Sequence, residues 1–309
     1  MPNSAQRRVI DPILSNVVLG YKHPDHIGME LFPRVPVETS GGKIIQFNKD
    51  GFRLYNTARA PGTATKRVQF GYAAGSYGLT NHALEGVVPI EHQREAEIVP
   101  GIDLGTGAVN GVMRIESLVI EKEQADLARD ATKYDANHKN ILAGTDRWDD
   151  YVNSDPIADV TAAREAIRSS TGTYPNVIEI PSLVLSKLKN HPSIIEKIKY
   201  SERGIVTAEI LAAVFEIDKV IIGKAIAFDD ADAPIDIWGK DVVLAYVPTV
   251  ASTIQEPSFG YTYTMKNNPH VEDPYYERSI KSWVYGTQYE RAPLLTGVTS
   301  GFLLQTAIN

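Results

Sequence analysis

The sequence predicts an α+β protein in which one long helix and an α/β lobe are combined with β-structure near both ends of the chain. Three observations support this fold class. Apolar residues recur at helical spacing across 112–137, helices alternate with strands over 155–247, and a two-residue apolar alternation returns from Ser258 onward. An irregular arm and a long ribbon precede these elements.

Residues 1–40 are predicted to form an extended arm. Prolines interrupt this stretch repeatedly, and each one disfavours helix at the residue before it. The arm has no unbroken apolar run of the kind found in signal peptides, and no stretch of eighteen apolar residues occurs in the chain. We therefore expect neither a signal peptide nor a membrane span.

Residues 41–84 are predicted to form a two-stranded ribbon. Apolar and polar side chains alternate in Lys43–Lys49 and again in Arg67–Tyr72. The roughly seventeen residues between these stretches are rich in Gly, Thr, Ala and Arg, with too few large apolar side chains to build a core. Because a two-stranded ribbon is marginally stable in water, this one is expected to lie on another surface.

The ribbon is strongly basic although the whole chain is acidic. Residues 41–84 contain six basic side chains against Asp50 alone, a net charge of +5, so the remainder carries −12 of the formal total of −7. A basic ribbon of this kind could bind nucleic acid or the acidic body of another copy, and a solvated loop is the third interpretation. The six side chains are Lys43, Lys49, Arg53, Arg59, Lys66 and Arg67.

A long amphipathic helix is predicted over 112–137. Its apolar stripe is formed by Ile120, Leu127, Ala131, Tyr134 and Ile141. The opposite face carries Glu116, Glu123, Asp126 and Asp130, and is expected to meet solvent or a partner.

Residues 155–247 are predicted to form an α/β lobe. Asp155 caps a helix that begins at Pro156 and ends at Gly172. The expected strands are Asn176–Ile180, Lys219–Phe228 and Asp241–Val247, and the expected helices are Pro181–Lys189, Pro192–Tyr200 and Thr207–Phe215. Ser279–Tyr289 and Gly301–Ile308 are expected to complete a C-terminal sheet.

Motifs for catalysis, cofactors or metals are sparse. GIDLGTG (101–107) lacks the spacing of a nucleotide-binding loop and is interpreted as a loop, and GYAAGSYG around Ser76 lacks the spacing of a nucleophile elbow. HPDH (23–26) is interpreted as a proline-bounded turn, and FDDADAPID (228–236) as a hydrated turn between strands. With no cysteine, the chain has neither disulfides nor thiolate metal sites. We predict no catalytic, cofactor-binding or metal-binding residues.

The order of these elements resembles the major capsid proteins of tailed bacteriophages, which share the Hong Kong 97 capsid fold. The local likeness is strongest in TAEILAAVFEIDKVIIGKAI (207–226), DIWGKDVVLAYVP (236–248) and EPSFGYTYT (256–264). A weaker likeness covers RSIKSWVYGTQYERAPLLTGVTSGFLLQTAI (278–308).

The resemblance implies a domain plan. Residues 1–40 match the N-terminal arm, 41–84 the extended loop, 85–154 and 248–309 the peripheral domain with its spine helix, and 155–247 the axial domain. The ribbon would then lie over the next subunit of a shell. The implied inter-subunit contacts are Lys43, Lys49, Phe52, Arg53, Tyr55, Arg59, Lys66 and Arg67.

The resemblance also implies a structural function. The chain would assemble as pentamers and hexamers into an icosahedral phage head around double-stranded DNA, without sequence-specific binding, membrane or cofactor. Expected partners are a portal protein, a scaffolding protein and a decoration protein. The scaffolding protein would be a separate chain, because the arm is too short to be a fused scaffold. Assembly would occur in the bacterial cytoplasm and the chain would reside in the virion. An encapsulin-type compartment is the alternative, with a nucleic-acid-binding protein or a hydrolase as more distant ones.

Overall fold

The computed structural model describes residues 10–46, 57–65, 67, 73–96, 103–199, 206–248 and 258–309. The helices of these ranges are α1 Pro12–Leu19, α2 Gly28–Leu31, α3 Ile90–Ala96, α4 Leu104–Arg129, α5 Pro156–Thr171, α6 Ser182–Leu188, α7 Pro192–Ile198 and α8 Ala208–Phe215. The strands are β1 Arg34–Val37, β2 Gly41–Gln46, β3 Ala73–Gly78, β4 Thr80–Pro89, β5 Lys139–Ile141, β6 Val177–Pro181, β7 Lys219–Gly223, β8 Ile226–Phe228, β9 Pro234–Asp236, β10 Val242–Ala245, β11 Gly260–Met265, β12 His270–Val271, β13 Tyr275–Glu277, β14 Ser282–Leu295 and β15 Gly301–Gln305.

The first sheet is built around β14. This 14-residue strand pairs antiparallel with β4 over ten residue pairs and also with β11, β12 and β13, while β1 adds to β11 in parallel. Buried and partly exposed residues alternate along much of β14, as expected for a strand with one face on a core. The long helix α4 packs against β14 and β4.

The second sheet has the strand order β5-β15-β10-β6-β7. One face is covered by α5 to α8, whose apolar residues form the largest core cluster. The other face is covered by the end of α4, by Trp238 and by arm residues such as Phe32, which form a second cluster. The two clusters account for the fully buried sequence of β10, in which both faces of the strand are in contact with protein.

The last strand lies in a different sheet from the one predicted. We expected Gly301–Ile308 to complete a C-terminal sheet, but β15 pairs antiparallel with β10 and in parallel with β5. Four of its five residues are buried, so the strand is suited to the interior of a two-faced sheet rather than to an edge. The chain therefore returns to the α/β lobe before it ends.

Helix α4 exists as predicted but lies eight residues earlier at both ends, at 104–129 instead of 112–137. The interpretation of GIDLGTG as a loop was wrong for its second half, because Asp103 accepts hydrogen bonds from the Gly105 and Thr106 amides and starts the helix there. Tyr134 lies beyond the helix end, where its hydroxyl donates to the Ala128 carbonyl at 2.6 Å. Ile141 is likewise off the helix, on β5.

The predicted elements of the α/β lobe are confirmed. The Asp155 carboxylate accepts from the amides of Ile157 and Ala158 and caps α5, and Gly172 ends it with φ +76°. The helices α6, α7 and α8 and the strands β6 and β10 fall within two residues of their expected bounds. The stretch expected as one strand, Lys219–Phe228, is divided into β7 and β8, and β8 forms a small separate sheet with β9.

Candidate assembly surfaces

The base of the ribbon is anchored to the first sheet. β2 pairs antiparallel with β3, with Lys43 opposite Ser76. Ile44 and Tyr77 are buried, and the Tyr77 ring stacks on Tyr263 with centroids 4.9 Å apart. The Tyr77 hydroxyl lies 3.1 Å from that of Thr39. This anchor fixes the direction in which the ribbon leaves the body.

The described part of the ribbon tip is exposed and locally ordered. Every residue in 57–65 is exposed. The Thr63 amide donates to the Ala60 carbonyl at 3.2 Å across Pro61 and Gly62, and Gly62 has φ +81°, the arrangement of a type II turn. The guanidinium of Arg59 donates to the Thr63 carbonyl at 2.8 Å. The turn thus holds a cation at an exposed tip.

The structure describes three of the eight predicted contact residues. Lys43 lies at the base of the ribbon, Arg59 lies at its tip, and both side chains are exposed, as is that of Arg67. The remaining five lie outside the described residues: Lys49, Phe52, Arg53, Tyr55 and Lys66. Their role in subunit contacts stays a prediction.

A buried ion network joins α4 to the first sheet. The side chain of Arg291 is 0% exposed, and its guanidinium lies 2.7 Å from Glu116 and 3.3 Å from Glu123. His82 on β4 lies 3.8 Å from Glu123. The prediction of a solvent-facing or partner-facing acidic side on this helix was therefore wrong for Glu116, which is buried against the cation on β14, whereas Glu123 keeps a side chain that is 31% exposed.

Sequence reasoning missed the junction between α4, the arm and the α/β lobe. The Glu121 carboxylate accepts from the amides of Ile27 and Gly28 at 3.0 and 2.8 Å and from the Trp238 indole at 2.7 Å. Burial raises the pKa of Glu121 above its ordinary value. The sequence signal that could have indicated this junction is the position of Glu121 directly after Ile120, on the apolar side of the helix.

A second buried carboxyl lies on the same side of the second sheet. Glu179 on β6 is fully buried, and within the described part of the chain neither of its oxygens has a hydrogen-bond partner. Burial raises the pKa of Glu179 well above its ordinary value and so favours the neutral carboxylic acid. Nearby, Arg129 donates to Asp241 at 2.8 Å and to the Ile237 carbonyl at 2.8 Å, tying the end of α4 to the lobe.

A cavity of about 310 Å³ lies between the arm and α4, where Met29, Arg34 and Met113 contribute to its lining. The turn predicted for HPDH is present, and the rings of His23 and His26 stack with centroids 4.1 Å apart. Nδ1 of His26 lies 2.6 Å from the Ser117 hydroxyl. Burial, followed by the neighbouring His23, lowers the pKa of His26 to about 4, so this histidine packs the arm on the helix as a neutral group.

One serine–histidine set in the lobe has a structural role. His191 caps α7: its Nδ1 accepts from the Ser193 amide at 3.3 Å and lies 2.7 Å from the Ser193 hydroxyl, while its Nε2 lies 3.0 Å from the Ser154 hydroxyl. Burial lowers the pKa of His191. Because Nδ1 holds the start of α7 and Nε2 ties the ring to Ser154, just before α5, the arrangement serves the fold of the lobe.

The described ranges give no sign of a metal site or of a membrane-spanning helix. They contain no group of three or more His, Cys, Asp or Glu residues placed to hold a metal ion. In the same ranges, none of the helices combines the length and apolar character required to cross a membrane. The ribbon, with its exposed basic side chains, is therefore the main candidate for an interaction surface in the described ranges.

Comparison with known proteins shows that the chain is similar to phage capsid proteins. The family model described as "Phage major capsid protein E" matches residues 107–258. The major capsid protein of Burkholderia phage BcepMu is 38% identical over 310 residues, covering 98% of both chains. The crystal structure of a phage-related protein from Bordetella bronchiseptica RB50 is 45% identical, covers 98% of both chains and has a TM-score of 0.85.

More distant structures share the fold alone. The mature capsid of bacteriophage PhiM1 matches 93% of this chain and 88% of its own with a TM-score of 0.54 at 12% identity. The holo-SrpI encapsulin complex of Synechococcus elongatus PCC 7942 matches 99% and 91% with a TM-score of 0.52 at 11% identity. The predicted Hong Kong 97-type capsid fold is thereby confirmed, and the whole-length relative at 38% identity favours a phage head over an encapsulin. The chain belongs to the phage major capsid protein family, whose members assemble into the shell of the virion.

Proposed function

We propose that the ribbon formed by β2, β3 and the residues between them is the extended loop of the capsid subunit and lies on a neighbouring copy. Its base is anchored through Ile44 and Tyr77, whereas its described tip is fully exposed. The ribbon carries a net charge of +5, and the remainder of a neighbouring copy carries −12, so the two would attract each other. A contact between two different surfaces of identical subunits repeats until the assembly closes.

The two sheets support a division of the subunit into two domains. The first sheet and α4 would form the peripheral domain, with α4 as its spine helix. The second sheet and α5 to α8 would form the axial domain that meets around five-fold and six-fold axes. Because β5 and β15 pair within the second sheet, these two strands would move with the axial domain.

The shell would enclose the double-stranded DNA of the phage. The negative body disfavours close approach of DNA, which fits a container that holds DNA without sequence-specific contacts. A portal protein, a separate scaffolding protein and a decoration protein would complete the head in the bacterial cytoplasm. The chain itself would act as a structural protein without catalytic activity. The observation that supports this function most strongly is the 38% identity to a phage major capsid protein over nearly the whole chain.

The contents of particles purified from producing cells test this proposal against an encapsulin. We expect double-stranded DNA, protected from nuclease until the particles are opened, together with a small number of portal subunits. A folded enzyme present at a constant ratio to the shell subunit, with no protected DNA, would contradict the phage-head function. Nuclease treatment before opening is the control for DNA bound to the outside.

A further inference from the structure

The small sheet formed by β8 and β9 has an apolar face that nothing in the described part of its own chain covers. Ile226 and Phe228 lie two residues apart and therefore on one face, where Phe228 pairs with Pro234 across the strands. Phe228 is 71% exposed and Ile226 is 50% exposed. A hairpin of two three-residue strands is marginally stable in water by itself. Two large apolar side chains exposed on one face also form a patch of the kind that marks an interaction site.

The hairpin is held firmly at its base. Ala225, Ile237 and Trp238 are buried, and the Ile237 amide donates to the Ala225 carbonyl at 3.0 Å. The Trp238 indole is fixed by Glu121 on α4. The apolar face is therefore presented in a defined orientation from the junction of α4 and the α/β lobe.

The tip of the hairpin is acidic and ordered, and the predicted turn is confirmed. The Asp229 carboxylate accepts from the Ala231 and Ala233 amides at 2.9 and 2.8 Å, and Asp232 has φ +58°. Residues 225–239 contain four aspartates and neither Lys nor Arg, a charge of −4. Because Asp229 is occupied by the backbone, the charge offered to a partner comes from Asp230, Asp232 and Asp236.

We propose that this hairpin of one copy binds the basic ribbon of a neighbouring copy. The two surfaces have opposite charges, because the ribbon is a long basic segment of +5 with an exposed tip and the hairpin carries −4 beside an uncovered apolar face. Nucleic acid is disfavoured as the occupant because its phosphates would meet the carboxylates of Asp230, Asp232 and Asp236. The proposal rests on the proposed function, since it names the surface on which the extended loop lies.

A charge-swap experiment on the full chain tests the pairing. The ribbon variant changes its charge from +5 to −3, the hairpin variant changes its charge from −4 to +1, and a control variant makes the same change of +5 at exposed acids elsewhere. These are R53E/R59E/K66E/R67E, D230R/D232N/D236R and E91R/E95R/E196Q. Asn replaces Asp at the position with positive φ because Asn tolerates that conformation, and Asp229 is kept for its backbone hydrogen bonds.

The measured quantity is the fraction of chain in closed particles, from sedimentation and negative-stain electron microscopy, with circular dichroism to verify folding. We expect the ribbon variant and the hairpin variant each to lose about tenfold or more of the particles, because each brings like charges together. The chain that carries both sets should recover most of them. The ribbon variant combined with the control set should not.

Two results would overturn the pairing. One is wild-type assembly by the hairpin variant, and the other is equal rescue of the ribbon variant by the control set, which would reduce the effect to net charge.

A second variant, F228S, tests the apolar contact with a smaller change to the hairpin. It removes one exposed ring, and we expect it to fold normally and to form fewer particles, whereas normal assembly would contradict the apolar contact. If the unsubstituted chain forms no particles, the proposed function fails as well, which is a distinguishable outcome.

Discussion

Replacement of Arg291 by Met is the sharpest test of how α4 is held against the first sheet. The Arg291 side chain is 0% exposed and lies 2.7 Å from Glu116, which is itself buried, and 3.3 Å from Glu123. Methionine keeps most of the volume but leaves the two carboxylates without their cation. Removal of one partner from a buried ion pair costs about 3–5 kcal/mol, so we expect a loss of that size in the free energy of unfolding.

Urea unfolding of dispersed subunits, followed by tryptophan fluorescence and circular dichroism, measures this loss. With an m-value of about 1–3 kcal/mol per M, the midpoint should fall by about 1 M or more. The matched control is K122M on the same helix, which breaks an exposed pair with Asp126 and should cost less than about 0.5 kcal/mol. The double variant R291M/E116Q should recover part of the loss, because it removes one uncompensated charge. An R291M subunit within about 1 kcal/mol of wild type would refute the reasoning.

Three further predictions follow from the buried groups and the composition. Glu179→Gln should reduce the pH dependence of stability. Burial holds the pKa of Glu179 in the folded chain above its ordinary 4.5, so the unfolded chain loses this proton at a lower pH and the free energy of unfolding falls as pH rises from 4.5 to the folded pKa. Titration of unfolding across pH should show a larger decline in wild type than in the variant, in which buried Glu121 still contributes, and equal declines would contradict the burial of a neutral Glu179. Trp238→Phe should lower the free energy of unfolding by about 1–3 kcal/mol, because the buried Glu121 carboxylate loses a hydrogen-bond donor at 2.7 Å. The control W283F, at a partly exposed position, should change thermal unfolding little, and equal losses in the two variants would contradict a role for the indole hydrogen bond. Because the chain has no cysteine, reductant should leave the particles unchanged. If no other covalent bond joins the subunits, boiling in detergent should release a single band near 34.0 kDa, and a ladder of larger bands would reveal such bonds.

The local signals in the sequence were sufficient for most elements of the α/β lobe. Asp155 followed by proline, and Gly172 with its positive φ, bound a helix through backbone chemistry that acts within a few residues. The long helix was predicted with the right character but shifted, because its first turn is rich in glycine and its true cap, Asp103, precedes an unusual LGTG start. Tyr134 continued the apolar spacing beyond the helix end, where it packs from a turn.

The contacts between distant segments could not be predicted from spacing. Arg291 is 175 residues from Glu116, and Trp238 is 117 residues from Glu121, so only the fold brings these groups together. The placement of β15 was missed for the same reason, since its partner β10 is specified by burial on both faces and not by a neighbouring turn. The ribbon, by contrast, could be singled out from sequence because its lack of core-forming residues and its charge are local properties.

Negative-stain electron microscopy of the purified full chain tests the central claim most directly. A single image distinguishes closed shells, pentameric or hexameric rings, and separate subunits. If the chain is a capsid subunit whose ribbon lies on its neighbour, the grids should show closed shells or rings across several salt concentrations, with fewer closed particles as screening increases. A field of separate monomers under all of these conditions, from a chain that circular dichroism shows to be folded, would contradict it.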